Sequence, residues 1–241
     1  MKPAQSSKDL IDLVNLDGWT VDLLACRRAG FSGGFNSRIG VGPIETVGQY
    51  GPSVGLDQMM WSTAAHFATG YSLNGYAYVS SIWEIAIGPA LNTALVAWLN
   101  ATRARWPTAE LITHGEAGER WRAAHPAGND EKLRFVTIGS GIGGSDADKE
   151  AHWYFSREFR LVLLRNLTQA MPGAVVDFTR YDLLAEEPTG SFTRSWNLMN
   201  VLNMKGTRPQ DQPTHIQEMG SEEKMLIGKY FPELIANNPP G

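Results

Sequence analysis

Apolar residues recur along this chain at two spacings, and the switches between them divide it into elements. Leu56, Met59, Met60, Ala64, Phe67 and Ala68 repeat at three- and four-residue intervals, predicting a helix over 56–71 with Pro52-Ser53 just upstream. Tyr76, Tyr78, Val79, Ile82 and Trp83 follow the turn signal Asn74-Gly75 and have the aromatic, β-branched character of a strand over 75–84, ending on Glu84. After Gly88-Pro89, the positions Leu91, Ala94, Leu95, Trp98, Leu99 and Thr102 return to helical spacing as far as Arg105-Trp106-Pro107. Glu110 to Thr113 then reads as a strand and the run from His114 through Trp121 as a helix. Two successive strand–helix units thus each carry a glutamate, Glu84 or Glu116, just past the strand. In barrels and open α/β sheets that edge is where ligands bind.

Further along, Leu133–Ile138 and Ala174–Thr179 are short strand patterns. His152 to Leu167 fits helix or strand, and Ser221–Tyr230 is a closing helix whose Glu222 and Glu223 suit the positive end of the helix dipole. Leu10 to Trp19 alternates loosely and reads as a strand running into Asp17-Gly18, with a short helix after it. The glycine-rich stretch from Arg27 to Tyr50 holds Arg38 and Glu45. Alternation of strands and helices argues for an α/β chain.

Composition narrows the function classes. The 241 residues are 43% hydrophobic with eight tryptophans, enough for a substantial core. A net charge of −4 carries no basic footprint, which argues against a nucleic-acid partner. No apolar run approaches the roughly 18 residues of a membrane span, and Met1 to Ser7 lacks the apolar core of a signal peptide, so no membrane partner is expected. A single cysteine, Cys26, excludes an internal disulfide and a cysteine-based zinc cluster, and its neighbours Leu23, Leu24 and Ala25 suit burial better than nucleophilic work.

Three groups of residues could carry chemistry. Glu84 and Glu116, on neighbouring strand ends, could divide into the general acid and the base or nucleophile that glycoside hydrolysis needs, with Trp83 as a surface on which a sugar ring stacks. The bland alternative is that each glutamate caps a helix or pairs with Arg120 or Arg122. The five histidines include no close pair at metal-ligand spacing; His114, beside Glu116, is the best placed, and with Asp17 and either Asp146 or Asp148 it could converge on a divalent cation. Gly139-x-Gly141-x-x-Gly144 has the form of a dinucleotide fingerprint, but the acidic Asp146, Asp148 and Glu150 that follow would repel a pyrophosphate. That acidic loop suits a sugar hydroxyl or a cation better.

Several strings occur together and in order: Val14-Asn-Leu-Asp-Gly-Trp-Thr-Val-Asp22, Phe35-Asn-Ser-Arg38, Gly42-Pro-Ile-Glu-Thr46, Gly139-Ser-Gly-Ile-Gly-Gly-Ser-Asp-Ala-Asp-Lys-Glu150, Asp177-Phe-Thr-Arg-Tyr-Asp182 and Lys205-Gly-Thr-Arg-Pro-Gln-Asp211. Through them nearly the whole chain resembles an uncharacterised bacterial family, common in gut Bacteroides-type organisms, whose domain of unknown function is similar to TIM-type glycosidases and polysaccharide deacetylases. The resemblance implies a (β/α) barrel-like α/β fold that is incomplete in this chain, which would correspond to the later part of the family protein. It implies a partial barrel over 1–185 and a C-terminal extension over 186–241 leading toward a small accessory domain, and it allows a periplasmic or secreted full-length form. Asp17, Arg38, Glu45, Glu84, Glu116, Asp146 and Asp148 fall in the matched segments.

The expectation is therefore a carbohydrate-active hydrolase acting on a glycan, with Glu84 and Glu116 catalytic. Asp17, Arg38, Glu45, Trp83, His114, Asp146 and Asp148 would hold substrate, and no cofactor is called for. A metal-dependent polysaccharide deacetylase, with a divalent ion on Asp17 and His114, and a non-catalytic glycan-binding or structural module are the alternatives. Oligomeric state is not legible in the sequence.

Overall fold

The computed structural model describes residue 24 and residues 43–79, 89–126, 132–142, 146–169, 173–180 and 215–236. The helix over Pro43–Ala64, here α1, bends at Gly51, whose φ of 78° is open to glycine and strained for other residues. Pro52 follows directly and restarts the helix, since a proline's missing N–H does no harm in a first turn. α1 continues into a π-helical segment, Ala65–Gly70, and a last turn, α2 (Tyr71–Asn74), closed by Gly75 in the left-handed region. Met59 and Val47 of α1 pack against Ala94 and Trp98 of α3 (Pro89–Arg105). The Trp98 indole N–H donates to Thr63 Oγ1 at 2.8 Å, and that hydroxyl donates to the Met59 carbonyl at 2.8 Å, so the polar atoms inside this contact are satisfied. α4 (His114–Ala124) comes next.

Four strands then form one sheet in the order β1-β2-β3-β4: β1 (Leu133–Ile138), β2 (Lys149–Phe155), β3 (Phe159–Asn166) and β4 (Ala174–Arg180). Each neighbouring pair is antiparallel. A 3₁₀ turn (Ile216–Glu218) and two helices, α5 (Ser221–Tyr230) and α6 (Pro232–Ala236), close the described chain. Glu223 at the start of α5 accepts from the Gly220 N–H at 2.9 Å, the helix-capping use of the acidic first turn.

This sheet overturns the expectation of a (β/α) barrel. The described strands make a small open antiparallel sheet with helices packed on it, a small α/β arrangement. The physical reason is the length of the connections. β2 and β3 are joined through Ser156, Arg157 and Glu158 alone, and parallel pairing needs a crossover of a dozen residues or more. Ser156 holds that turn, its N–H donating to the Phe159 carbonyl at 2.9 Å and its hydroxyl accepting from the Phe159 N–H at 3.1 Å. The segment 152–167, which fits either helix or strand by sequence, is this hairpin. Glu110 to Thr113, expected as a strand, lies in neither strand nor helix, and so do residues 76–79 of the expected strand 75–84, whose remainder lies outside the described residues.

Alternation along the strands gives the sheet two apolar faces. Phe135, Trp153, Val162 and Val176 face Ala65 of the π-helical segment. Tyr154, Phe159, Leu161, Leu163, Val175 and Phe178 face Ile227, Tyr230, Phe231 and Leu234 of the C-terminal helices. A bulge where Val162 pairs with Asp177 but Leu163 with Val175 leaves Val176 unpaired, and it joins the opposite face from Val175 and Phe178. At β1, an edge of the sheet, Asn74 stands in for a neighbouring strand: its amide donates to the Arg134 carbonyl at 2.8 Å and accepts from the Arg134 N–H at 2.9 Å. No helix among the described residues is long and apolar enough to cross a membrane.

Candidate functional site

The first turn of α4 holds two of the residues singled out in the sequence, His114 and Glu116. Thr113 is the N-cap, and its hydroxyl accepts from the Glu116 N–H at 3.2 Å. Glu116 is thereby fixed at the third helical position. Its carboxylate accepts from Arg120, one turn on, at 2.6 Å, and Arg120 also donates to Glu110 at 2.8 Å. The guanidinium hydrogen bond, and then its charge, pull the Glu110 carboxyl below its ordinary range, while the two carboxylates raise Arg120. All three side chains are close to half exposed or more, so this bridge orders the start of α4 and adds little stability.

Aromatic rings continue along the same helix. Trp121 stacks on His125 with ring centres 3.6 Å apart, and the edge of Tyr76 meets Trp121 at 5.0 Å. Tyr78 meets His114 at 6.3 Å. Alternate residues of the segment before Trp83 and Glu84 thus lie against both ends of α4. Burial, then the neighbouring Tyr78, raises the Tyr76 phenol. Tyr76 and Trp121 are half-buried, and one face of Trp121 is covered by His125.

Asp146 and Asp148 lie at the far end of the β1–β2 loop. Asp146 is buried, 3.5 Å from Lys149 Nζ, and Lys149 also reaches Asp148 at 3.3 Å. The loop closes tightly on itself, because the Lys149 N–H donates to the Asp146 carbonyl at 3.1 Å and the Gly139 N–H to the Lys149 carbonyl at 2.9 Å. A Cβ at residue 139 would lie 1.8 Å from the Asp146 carbonyl oxygen, so glycine is required there. The first glycine of the apparent dinucleotide fingerprint therefore serves close backbone approach.

Of the expected site residues, the structure brings Asp146 and Asp148 together about Lys149, while His114 and Glu116 share the first turn of α4 but turn to different partners, Tyr78 and Arg120. Glu45 lies in α1, with its side chain outside the described part, and Asp17, Arg38, Trp83 and Glu84 lie outside the described residues altogether. Among the described residues no group of three or more His, Cys, Asp and Glu side chains is placed to hold a metal ion.

One cluster escaped the sequence reading. On the β2–β3 pair, Glu150 stands directly across from Arg165 and bonds it, and the same carboxylate oxygen lies 2.7 Å from His152 Nε2. Glu150 is 7% exposed, His152 16% and Arg165 20%, so this is an ion pair with a histidine held inside the sheet's polar end. The signal was the two-residue spacing of Glu150 and His152, which puts them on one face only if the segment is a strand.

Comparison with known proteins fits this chain into a family. No curated protein matches it. In the crystal structure of "a putative glycoside hydrolase/deacetylase" from Parabacteroides distasonis, a chain 44% identical superposes with a TM-score of 0.78; the match covers 97% of this chain and 57% of that one. Residues 160–234 match a Domain of Unknown Function with solved structure, DUF3864, and residues 1–155 match a second, DUF3863. The two matches meet at the β2–β3 turn, so the sheet takes two strands from each. With well over half its length in that match, the chain belongs to the uncharacterised bacterial family DUF3863.

Proposed function

We propose that the chain is part of a carbohydrate-active hydrolase, with Glu116 on α4 one of two working carboxylates and Glu84 the other. The observation that carries this reading is the 44% identity to the P. distasonis protein described as "a putative glycoside hydrolase/deacetylase"; since the chain spans 57% of that protein, the activity is proposed for the longer arrangement. The local chemistry supports it. Glu116 already accepts from a guanidinium, which suits a base or nucleophile, and leaves proton donation to Glu84. Tyr76 and the face of Trp121 turned away from His125 are the surfaces on which a pyranose ring would stack. A retaining reaction would hold the two carboxyl groups about 5–5.5 Å apart, and an inverting one about 6.5–9.5 Å. The exposed Asp148 would serve as a hydroxyl acceptor, with the buried Asp146 holding its loop through Lys149 and with Arg38, Glu45 and Asp17 as further contacts from the matched segments.

The same description of the relative favours a second reading, metal-assisted deacetylation with His114 and Asp17 as ligands. Of that pair His114 lies among the described residues, which hold no group of three or more side chains placed to bind a metal ion. A third reading is a module that binds glycan without turning it over, in which the N-terminal capping of α4 is the whole role of Glu116.

One experiment separates the three. In the longer P. distasonis relative, the glutamates equivalent to Glu84 and Glu116 are each changed to Gln, and turnover and binding are measured on a panel of glycans with and without chelator. Hydrolysis by paired carboxylates predicts a loss of turnover of at least about 100-fold, with binding retained and chelator without effect. Undiminished turnover in both variants would sink it; chelator-sensitive release of acetate would establish deacetylation instead, and binding without turnover in the unaltered protein the third reading.

A further inference from the structure

Two polar atoms inside the contact between the sheet and α1 have no hydrogen-bond partner among the described residues: Thr137 Oγ1 and Trp153 Nε1. Thr137 is 3% exposed and Trp153 8%. The strand register puts them on the same face, since Phe135 pairs with Trp153 and Thr137 with Ala151, so Thr137 and Trp153 are diagonal neighbours. Ala151 between them contributes only a methyl group. The opposing helix is polar where a core is ordinarily apolar. Gln58, Ser62 and His66 recur every four residues, one stripe of the helix, and all three are buried.

The ends of that stripe are fixed against β1. At one end Ser140 Oγ lies 3.5 Å from Gln58 Oε1; at the other the His66 ring lies 4.5 Å from that of Phe135. Ser62 lies halfway along the stripe, between these two contacts. Two dry orphan groups here would each lose their hydration with no hydrogen bond in return. We propose that this interface is an internal binding site for water: one or two ordered molecules accept from Trp153 Nε1, exchange hydrogen bonds with Thr137 Oγ1, and bridge both to the Gln58-Ser62-His66 stripe. Buried waters typically make about three such bonds, and the polar groups needed converge here. The occupant is neutral, because every side chain offered is an uncharged amide, hydroxyl, indole or imidazole. Lying beside the Ser140–Gln58 contact, it fastens α1 to the root of the loop that carries Asp146.

The sign of a stability change tests this. Thr137→Val keeps the shape and removes only the hydroxyl; bridging water predicts that it lowers the thermal midpoint, by about 2–4 °C for a chain of this size, with Thr137→Ser closer to the native value than Thr137→Val. A dry orphan predicts the reverse, a higher or unchanged midpoint in Thr137→Val, and that outcome overturns the proposal. So does a high-resolution crystal structure with no solvent density within hydrogen-bond distance of either atom.

Discussion

His66 shows how one buried side chain sets a pH dependence. Burial within the π-helical segment, with its ring against Phe135, lowers its pKa from 6.5 to about 4. The folded chain thus holds a neutral imidazole where the unfolded chain takes up a proton below pH 6.5. The unfolded state binds more protons through that window, so stability is full above pH 6.5, falls as the pH drops toward 4 and levels off below it. At about 1.4 kcal/mol per pH unit, the loss attributable to His66 is about 3 kcal/mol. Urea unfolding at pH 7 and pH 4.5 is expected to show this fall in the native chain and a smaller one in His66→Gln; equal falls in both would assign the pH dependence to other groups. The sequence placed His66 on the predicted helix, but its burial depends on β1, some seventy residues away, and that contact has no local signature.

At the scale of elements, local signals were read correctly where neighbouring residues settle the structure. The periodicity of α3, the helical run from His114 through Trp121 in α4, the strand pattern of β1 and the acidic first turn of α5 all depend on residues within one or two turns. Strand pairing does not. Glu110 to Thr113 and residues 76–79 are strand-like in composition, yet in the fold their apolar and aromatic groups serve as the approach to α4 and as ring contacts upon it. The β2–β3 hairpin was obscured because a three-residue turn without glycine gives little punctuation, and with it went the Glu150–His152–Arg165 cluster. Of the candidate site, the pairing of Glu116 with Arg120 was legible as an alternative from their four-residue spacing. Edge protection of the sheet is likewise non-local, since Asn74 acts on Arg134 across sixty residues. Asn74→Ala removes both bonds to that edge and is expected to cost about 1–3 kcal/mol in chemical denaturation, with faster amide exchange at Arg134. Unchanged exchange there would show that β1 needs no such cover.

For the molecule as a whole, the decisive feature is that one antiparallel sheet serves two separate cores. Phe231 packs against Tyr154 and Phe159 on one face, while Val176 packs with Trp153 and Val162 on the other, and the two clusters share strand backbones but no side chain. A barrel would have drawn successive strands around a single interior; here alternation along each strand feeds both sides, and the bulge at Val176 adjusts the count on β4. If the faces are independent, substitutions on opposite sides add. Phe231→Leu and Val176→Ala are each expected to destabilise by about 1–2 kcal/mol, through lost burial and an incompletely closed cavity. The double variant should equal their sum within about 0.5 kcal/mol. A larger deviation in a denaturant-unfolding cycle would mean that strain passes through the strand backbones from one core to the other. In that case, repacking the C-terminal helices would be felt at Thr137, Trp153 and the polar stripe of α1, and the hydrated interface could not be treated apart from the rest of the fold.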